Sequence, residues 1–590
     1  MRVTLNNNRR MATKKKRKKV VLSDSEKERL KHIKGIQTLM QNIGFHRLPK
    51  VDGKQFIYGG RTTEMDDMFF YENIIIIMEY TTGNPNKHLL NKKIVYDLIL
   101  DNPYDFIDFL LSESIFESQK RVFESSILTK YSKRQLQLRI VYASKEVIDQ
   151  EQRNLVNVRY LDYSIVKYFE CIAKTIKKST IHEFCDFLDI PFNKIGDNIQ
   201  NTASSTDHFI GQILPEEHSS FEAGFKIITF YIDANSLLHR VYVLRNDSWR
   251  NVDSYEHYQR LIEGKKIRSM RKYLHDKKRV FINNIIVTLS IDDITLKDAK
   301  GNELKLDNKG NFSNSDQTNV QPATVSISNK SNIIGVIDGQ HRIYAYHVGE
   351  DRYESSISSL RNIQNLLVTG IVYPQNLSIP DRLKFEAQLF LEINSTQQSA
   401  NSRLTQAIEN ILHPDSTTAI AKYIISKLNE SGPFLDMFEE HWYETDKIKT
   451  VSIISFALKQ LTKLRGNDSL YALWDNPNKE ELLTKPDNHQ LLQSYKDYCV
   501  KELRNLFIGI KHNIDNQLWV MSKRNTPGIL NVTTINGFIN CLRFLIEDGK
   551  TGSVEYYKEK FKGIDQFAYK SYKSSQYRSM GRDMYKQFFQ

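Results

Sequence analysis

Ile74 to Met78 reads IIIIM, with Glu72 and Asn73 just before it and Glu79 just after. β-Branched side chains are stiff about χ1 and pack well on a pleated surface, so a run of this kind reads as a buried strand. Upstream, QFIYGGRTTEMDDMFFYEN places a glycine pair and an acidic cluster before a second apolar run. The expected arrangement is strand, turn, strand. It puts Glu64, Asp66 and Asp67 at the start of one strand and Glu79 at the end of the next. Before this hairpin, Ser23 and Glu26 have capping-box spacing, and Leu30, Ile33, Ile36, Leu39 and Met40 recur at helical intervals. After it, Leu89 to Glu170 reads as mostly helical, so the first part of the chain is expected to be α/β.

At 590 residues, 40% of them hydrophobic and 11% aromatic, the chain has material for several folding units with real cores. Its net charge of +13 is concentrated in Arg2, Arg9, Arg10, Lys14, Lys15, Lys16, Arg17, Lys18 and Lys19, all ahead of the first acid, Asp24. That run is a basic tail open to solvation, phosphate contact or nuclear import. Cys171, Cys185, Cys499 and Cys541 form no CxxC pair and no disulfide framework, which fits a reducing cytoplasm. No apolar stretch approaches the roughly 20 residues of a membrane span, so no membrane association is expected.

Five segments follow from composition: a tail at 1–23, an α/β domain at 24–195, a linker at 196–220, an α+β domain at 221–400 and a helical extension at 401–590. GDNIQNTASSTDH, Gly196 to His208, marks the boundary. Strands are expected at Lys226–Ile232, Val241–Arg245, Val280–Leu289, Asn332–Ile337 and Leu366–Val372, and a basic helix at His257–Leu274. Ile291 to Lys330 reads as a mobile excursion, and helices at Pro380–Ile393 and Ser402–Leu428 lead into the C-terminal part.

GVIDGQHRIYAYHVG, Gly335 to Gly349, runs a strand into a tight turn and then into helical spacing. A turn that opens a helix leaves N–H groups unpaired at the positive end of the helix dipole, which suits a phosphate. Gly339 permits close backbone approach, Arg342 can bind an oxyanion bidentately and His341 can donate or shuttle a proton. The plain alternative is that Asp338 caps the helix and the basic pair is ordinary first-turn sequence.

Asp338, Gly339, Gln340, His341 and Arg342 complete the pentapeptide of the DGQHR-domain family, which this segment resembles. The family includes the Dnd-type proteins encoded with DNA phosphorothioation and deazaguanine-modification genes, and is related more distantly to the ParB and sulfiredoxin fold. Arg260, in Tyr258-Gln259-Arg260, and Asn394 and Gln397, in LFLEINSTQQ, fit flanking family features. The resemblance extends from roughly Phe221 to the C-terminus. It implies a ParB-like α+β domain that binds a nucleoside triphosphate, ATP favoured, through these residues.

The acidic hairpin bears on a second chemistry. Metal-dependent phosphodiester hydrolysis needs hard oxygen ligands converging at strand ends. GGRTTEMDDMFFYENIIIIMEYTT resembles the PD-(D/E)XK nuclease core of Mrr-like members, a restriction-endonuclease-like α/β fold. There a glycine-flanked acidic cluster precedes one strand and E-x-K ends the next. The resemblance implies Mg²⁺ on Asp67 and Glu79, with Glu64 as helper carboxylate. The lysine position holds Thr81, so Lys87, Lys92 or Lys93 from the following helix would supply the charge, Lys92 being the one assigned. An ordinary acidic hairpin, a degenerate DNA-binding fold and an active nuclease all remain open.

Together these readings give a cytoplasmic protein with DNA and nucleotide as partners, acting in DNA modification or phage defence. It is expected to be a Mg²⁺-dependent nuclease with an NTPase module, or a non-cleaving regulator or sensor of modified DNA. A ParB-fold phosphotransferase is the third class.

Overall fold

Ser23 starts the first helix by a reciprocal cap. Its hydroxyl accepts the Glu26 N–H at 3.2 Å, while its own N–H donates to the Glu26 carboxylate at 2.8 Å. Two otherwise unpaired donors are thereby satisfied. Helix α1, Asp24–Ile43, ends at Gly44, whose φ of 112° closes the last turn. In this computed structural model the residues described are 23–146, 148, 150–200, 206–215, 221, 224–243, 262–305, 311–312, 318–374, 377–395, 406, 408–410, 412–440, 444, 446–485, 488–522 and 527–590. They form two compact units, one reaching to Glu170 and one of Cys171–Gln590. The protein is mixed α/β. Among the described residues no helix is long and apolar enough to cross a membrane.

The first unit is built on a five-stranded sheet of β1 (His46–Arg47), β2 (Asp67–Tyr71), β3 (Ile74–Thr81), β4 (Gln137–Ser144) and β5 (Arg159–Leu161), in that spatial order. β1, β2 and β3 pair antiparallel, whereas β4 runs parallel to both β3 and β5. Such a parallel crossover needs a long connection, and α2, Pro85–Asp101, begins it. The stretch 89–170 expected to be mostly helical thus contains two strands. A strand covered on both faces carries a continuous apolar run, and Ile140, Val141, Tyr142 and Ala143 are all buried. Such a run shows no alternation to separate it from a helix.

The second unit carries an eight-stranded sheet. Its strands are β6 (Thr206–Ile213), β7 (Lys226–Asp233), β8 (Val241–Val243), β9 (Ile285–Ser290), β10 (Ile294–Asp298), β11 (Gln321–Ser328), β12 (Ile334–Asp338) and β13 (Asn365–Tyr373). Their spatial order is β8-β12-β9-β13-β7-β6-β11-β10. Two expectations change here. The polar stretch 196–208 leads into β6 inside the unit, and 291–330 supplies β10 and β11, paired from Ile294↔Ile327 to Asp298↔Ala323. Their buried Leu296, Val325 and Ile327 supply the packing that offsets the turn-rich sequence between them.

Most of the C-terminal part is helical around its own apolar core, which includes Phe434, Trp474, Tyr495, Phe507 and Phe538. The helices Val532–Glu547 and Tyr577–Phe589 approach through glycines: a Cβ on Gly581 would lie 2.8 Å from Asn540 Cβ, and one on Gly537 2.4 Å from Met580 Sδ.

α3, Gly264–Lys277, is fixed to the sheet region by a buried arginine. Arg271 donates to both Asp351 oxygens at 2.8 and 2.9 Å, to Glu354 at 2.8 Å, and to the carbonyls of Ala345 and His347 at 3.0 and 2.8 Å. Arg361 clamps the same loop through Glu354 at 2.7 Å and the Tyr346 carbonyl at 2.6 Å. For both acids burial favours the neutral form, but hydrogen bonds and charge from the arginines outweigh it and hold the carboxyls below their ordinary range. Their stabilising contribution is therefore fully present above about pH 4 and is lost as pH falls through the depressed native values. Arg271→Ala is expected to destabilise this unit by about 3–5 kcal/mol, the scale for breaking a buried ion pair. Urea unfolding of the variant at neutral pH, followed over a pH series, measures both effects.

Candidate functional site

Strand register decides which acid meets Glu79. Asp67 lies opposite Met78 in the β2–β3 pair. Side chains alternate across a strand, so Asp67 shares a face with Met78 and Tyr80 while Glu79 points to the other side. Asp67 is 1% exposed and fully engaged. Arg47 Nε donates to it at 2.7 Å, Gln37 Nε2 at 2.9 Å, the Tyr80 hydroxyl at 3.1 Å and the Met68 N–H at 3.1 Å. The pairing of Asp67 with Glu79 expected from sequence is therefore not what the geometry assembles. Asp66, one residue earlier, is the acid on the Glu79 side, and its Oδ2 accepts the Tyr80 N–H at 2.8 Å.

Glu79 is wholly buried, and its Oε2 forms an ion pair with Lys92 Nζ from α2. The same ammonium donates to the Glu64 carbonyl at 3.0 Å. Glu64 thus contributes its backbone to Lys92, and its carboxylate acts on Glu79 only through charge. The second Glu79 oxygen, Oε1, is buried with no hydrogen-bond partner. Burial pushes the Glu79 carboxyl up to about 7; Lys92 opposes the shift, and the negative charges of Asp66 and Glu64 add to it.

α2 starts at the side-chain cap of Asn84 with Pro85 in its first turn. From there His88, Lys92 and Tyr96 recur four residues apart, which sets them along one helix face. Tyr96 is buried, and its hydroxyl makes no hydrogen bond of good geometry. Its phenol is pushed well above the ordinary value, first by burial, then by the charge of Glu79, with a looser side-chain contact to the Glu79 carboxylate adding to the shift. On the sheet side, register places Glu79 beside Tyr142 and Tyr142 beside Tyr160. The Tyr142 hydroxyl lies 2.8 Å from His88 Nδ1 and 3.4 Å from the Pro85 carbonyl oxygen. Glu79 and Tyr142 on adjacent strands, with Asp66 just ahead of β2, thus face a helix row of His88, Lys92 and Tyr96.

Among the described residues no group of three or more His, Cys, Asp and Glu side chains stands assembled as a metal cage. Mg²⁺ does not require one, since it is commonly held by one or two carboxylates with waters and substrate phosphates. The orphaned Glu79 oxygen with Asp66 beside it fits such a cation.

In the second unit, β12 ends at Asp338 and Gly339 turns with φ of 98° into Gln340–Tyr344, a helix of 5 residues. This is shorter than the helix expected there, so few peptide dipoles align. The Arg342 and Ile343 N–H groups are taken by the Gly339 carbonyl at 2.9 and 3.2 Å. Arg342 Nη2 donates to the Asn284 carbonyl at 2.8 Å and to Asp338 at 3.1 Å. His341 Nε2 accepts the Glu263 N–H at 3.0 Å. Gln340 is 1% exposed, and neither its Oε1 nor its Nε2 has a hydrogen-bond partner. Arg260 and Gln397 lie outside the described residues, as does the side chain of Asn394.

No family model, curated protein or solved structure matches the chain.

Sequence reasoning placed Asp66 in the acidic cluster but gave the cation to Asp67 instead, and it missed His88, Tyr96 and Tyr142. The four-residue spacing in α2 was a readable signal, whereas Asp66 and Tyr142 required strand register. Asp67→Ala is expected to destabilise the protein by about 2–4 kcal/mol, because it strands a buried tyrosine hydroxyl and removes the Arg47 pair. Asp66→Asn should stay within about 1 kcal/mol of the parent, as its carboxamide oxygen can still accept the Tyr80 N–H. Urea titrations of the two variants side by side check the difference.

Proposed function

We propose that the first unit is a Mg²⁺-dependent DNA endonuclease domain of the PD-(D/E)XK kind, with Asp66 and Glu79 as cation ligands and Lys92 as the catalytic ammonium. The observation that carries this reading is a buried carboxylate with one oxygen on Lys92 and the other orphaned, next to a second acid at the same end of the sheet. A bound Mg²⁺ would lower the pKa of an attacking water and neutralise developing phosphate charge. Lys92 supplies the positive charge that Thr81 cannot, and the Glu64 carbonyl keeps the ammonium over the site. With 14% of its side chain exposed, Lys92 keeps some access to solvent.

DNA as the substrate is supported by α3 and the residues just after it, where Lys265, Arg268, Lys272, Lys277, Lys278 and Arg279 are exposed. None of the six has an ion-pair partner among the described residues. Unpaired cations along one element suit phosphate-backbone contact without sequence readout. The DGQHR resemblance supports a setting in DNA modification or phage defence for this activity.

Purified protein should nick or cut duplex DNA with Mg²⁺ or Mn²⁺. Asp66→Ala, Glu79→Ala and Lys92→Ala should each slow cleavage by about 10²–10³ while DNA binding persists. Asp67→Asn, if folded, should still cut. Absence of cleavage by the parent protein under any metal or nucleotide condition would leave a non-cleaving DNA-binding fold. Full activity in Lys92→Ala would remove the assigned ammonium.

For the second unit we infer nucleotide binding at the DGQHR turn, supported by the fully buried and unpartnered Gln340 amide. Gln340→Ala and Arg342→Ala should each weaken ATP binding by about 1–3 kcal/mol, as measured by calorimetry. Unchanged affinity in both folded variants would contradict this reading.

A further inference from the structure

Resting on the nuclease reading of the first unit, we propose that His88 is a further catalytic residue of that site, the general base that takes the proton of the attacking water. The imidazole is tied at one nitrogen only. Its Nδ1 lies 2.8 Å from the Tyr142 hydroxyl, and the ring sits 5.6 Å from the Tyr142 ring, centroid to centroid. Nε2 has no hydrogen bond to any described residue and is not among the buried polar atoms that lack partners. The Tyr142 hydroxyl also reaches the Pro85 carbonyl oxygen at 3.4 Å; in the tautomer this role uses, the phenolic proton goes there, His88 donates from Nδ1, and Nε2 presents its lone pair.

Position and charge agree with this role. His88 is one turn before Lys92 on the same face of α2, and its anchor Tyr142 is the register neighbour of Glu79. Lys92 is a poor base where it stands, because its ammonium is committed to Glu79 and to the Glu64 carbonyl. The groups facing His88 are Tyr142 from β4, Lys92 from its own helix and the carboxylate of Asp66. Burial, reinforced by Lys92 and opposed by Asp66, lowers the His88 pKa and favours the neutral ring. This also gives Thr81 a physical setting: where the resemblance implies a lysine, the chain has a small hydroxyl that acts on the Tyr142 phenol against its burial.

In the proposed step a water proton passes to His88 Nε2 as the water oxygen bonds to phosphorus. The bond from phosphorus to the leaving sugar oxygen breaks with its electron pair on that oxygen. The leaving oxygen takes a proton from solvent, and His88 returns its proton to solvent. One water is consumed, and the products are a phosphomonoester and a free hydroxyl.

The test uses the full chain. Duplex DNA affinity is measured by fluorescence anisotropy in Ca²⁺, and single-turnover cleavage in Mg²⁺, for the parent, His88→Ala, His88→Gln and Tyr142→Phe. Both His88 variants should lose about 10²–10³ in the cleavage rate, with affinity within about twofold of the parent. Added imidazole should restore at least tenfold of the lost rate in His88→Ala and none in Lys92→Ala. Tyr142→Phe should lose less than His88→Ala. The proposal is overturned if His88→Gln cuts within threefold of the parent, if affinity falls together with rate in both His88 variants, or if imidazole rescues nothing. A parent protein that cuts no DNA overturns the nuclease reading and this role with it; a parent that cuts alongside an active His88→Gln overturns this role alone.

Discussion

A carboxylate placed fully inside a protein costs several kcal/mol unless a cation meets it, and in the first unit Lys92 offsets part of that cost for Glu79, whose carboxyl burial still pushes up to about 7. The pair ties α2 to the end of β3. Helical spacing then brings His88 and Tyr96 over the same patch, sheet register adds Tyr142 from the neighbouring strand, and Asp66 joins from just before β2 by accepting the Tyr80 N–H. One lysine is shared between a Glu79 carboxylate oxygen and the Glu64 carbonyl, leaving the other carboxylate oxygen, Glu79 Oε1, without a partner. An orphaned buried acceptor is a standing energetic cost, and a bound cation or substrate group is a physical reason to keep it.

The second unit rests on a different device. There the buried cation is Arg271, and every donor it offers finds an acceptor within the loop that follows the DGQHR turn. The result is a positioned turn rather than an open charge. His341 Nε2 and Arg342 Nη2 are likewise drawn into local bonds, so the groups left unpaired at this turn are the Gln340 amide and Arg342 Nε.

The parts of this legible in sequence are those set by local chemistry. Ser23 and Glu26 announce their cap because the interaction spans three residues, and IIIIM announces a strand because χ1 stiffness is a property of each residue. The choice between Asp66 and Asp67 was not legible, since adjacent residues point to opposite faces and only the Asp67↔Met78 register assigns the faces. Lys92 was reachable, because a cation one helix after the strand is a short list of candidates, though Lys87 and Lys93 were equal on that list. β4 was hidden by burial on both faces. β10 and β11 were hidden by the Gly, Asn and Asp residues near them, which describe the turns and not the strands they join. At the DGQHR turn the pentapeptide fixed the residues of interest, yet the shortness of its helix depends on tertiary contacts such as Glu263 to His341.

The central claim is that Asp66 and Glu79, rather than Asp67, define a divalent-cation site. Anomalous diffraction from crystals soaked in Mn²⁺ tests it most directly. The account predicts a peak within coordination distance of Asp66 and Glu79, with Asp67 still bonded to Arg47. A peak at Asp67, or none in the first unit at millimolar Mn²⁺ with DNA bound, would contradict it.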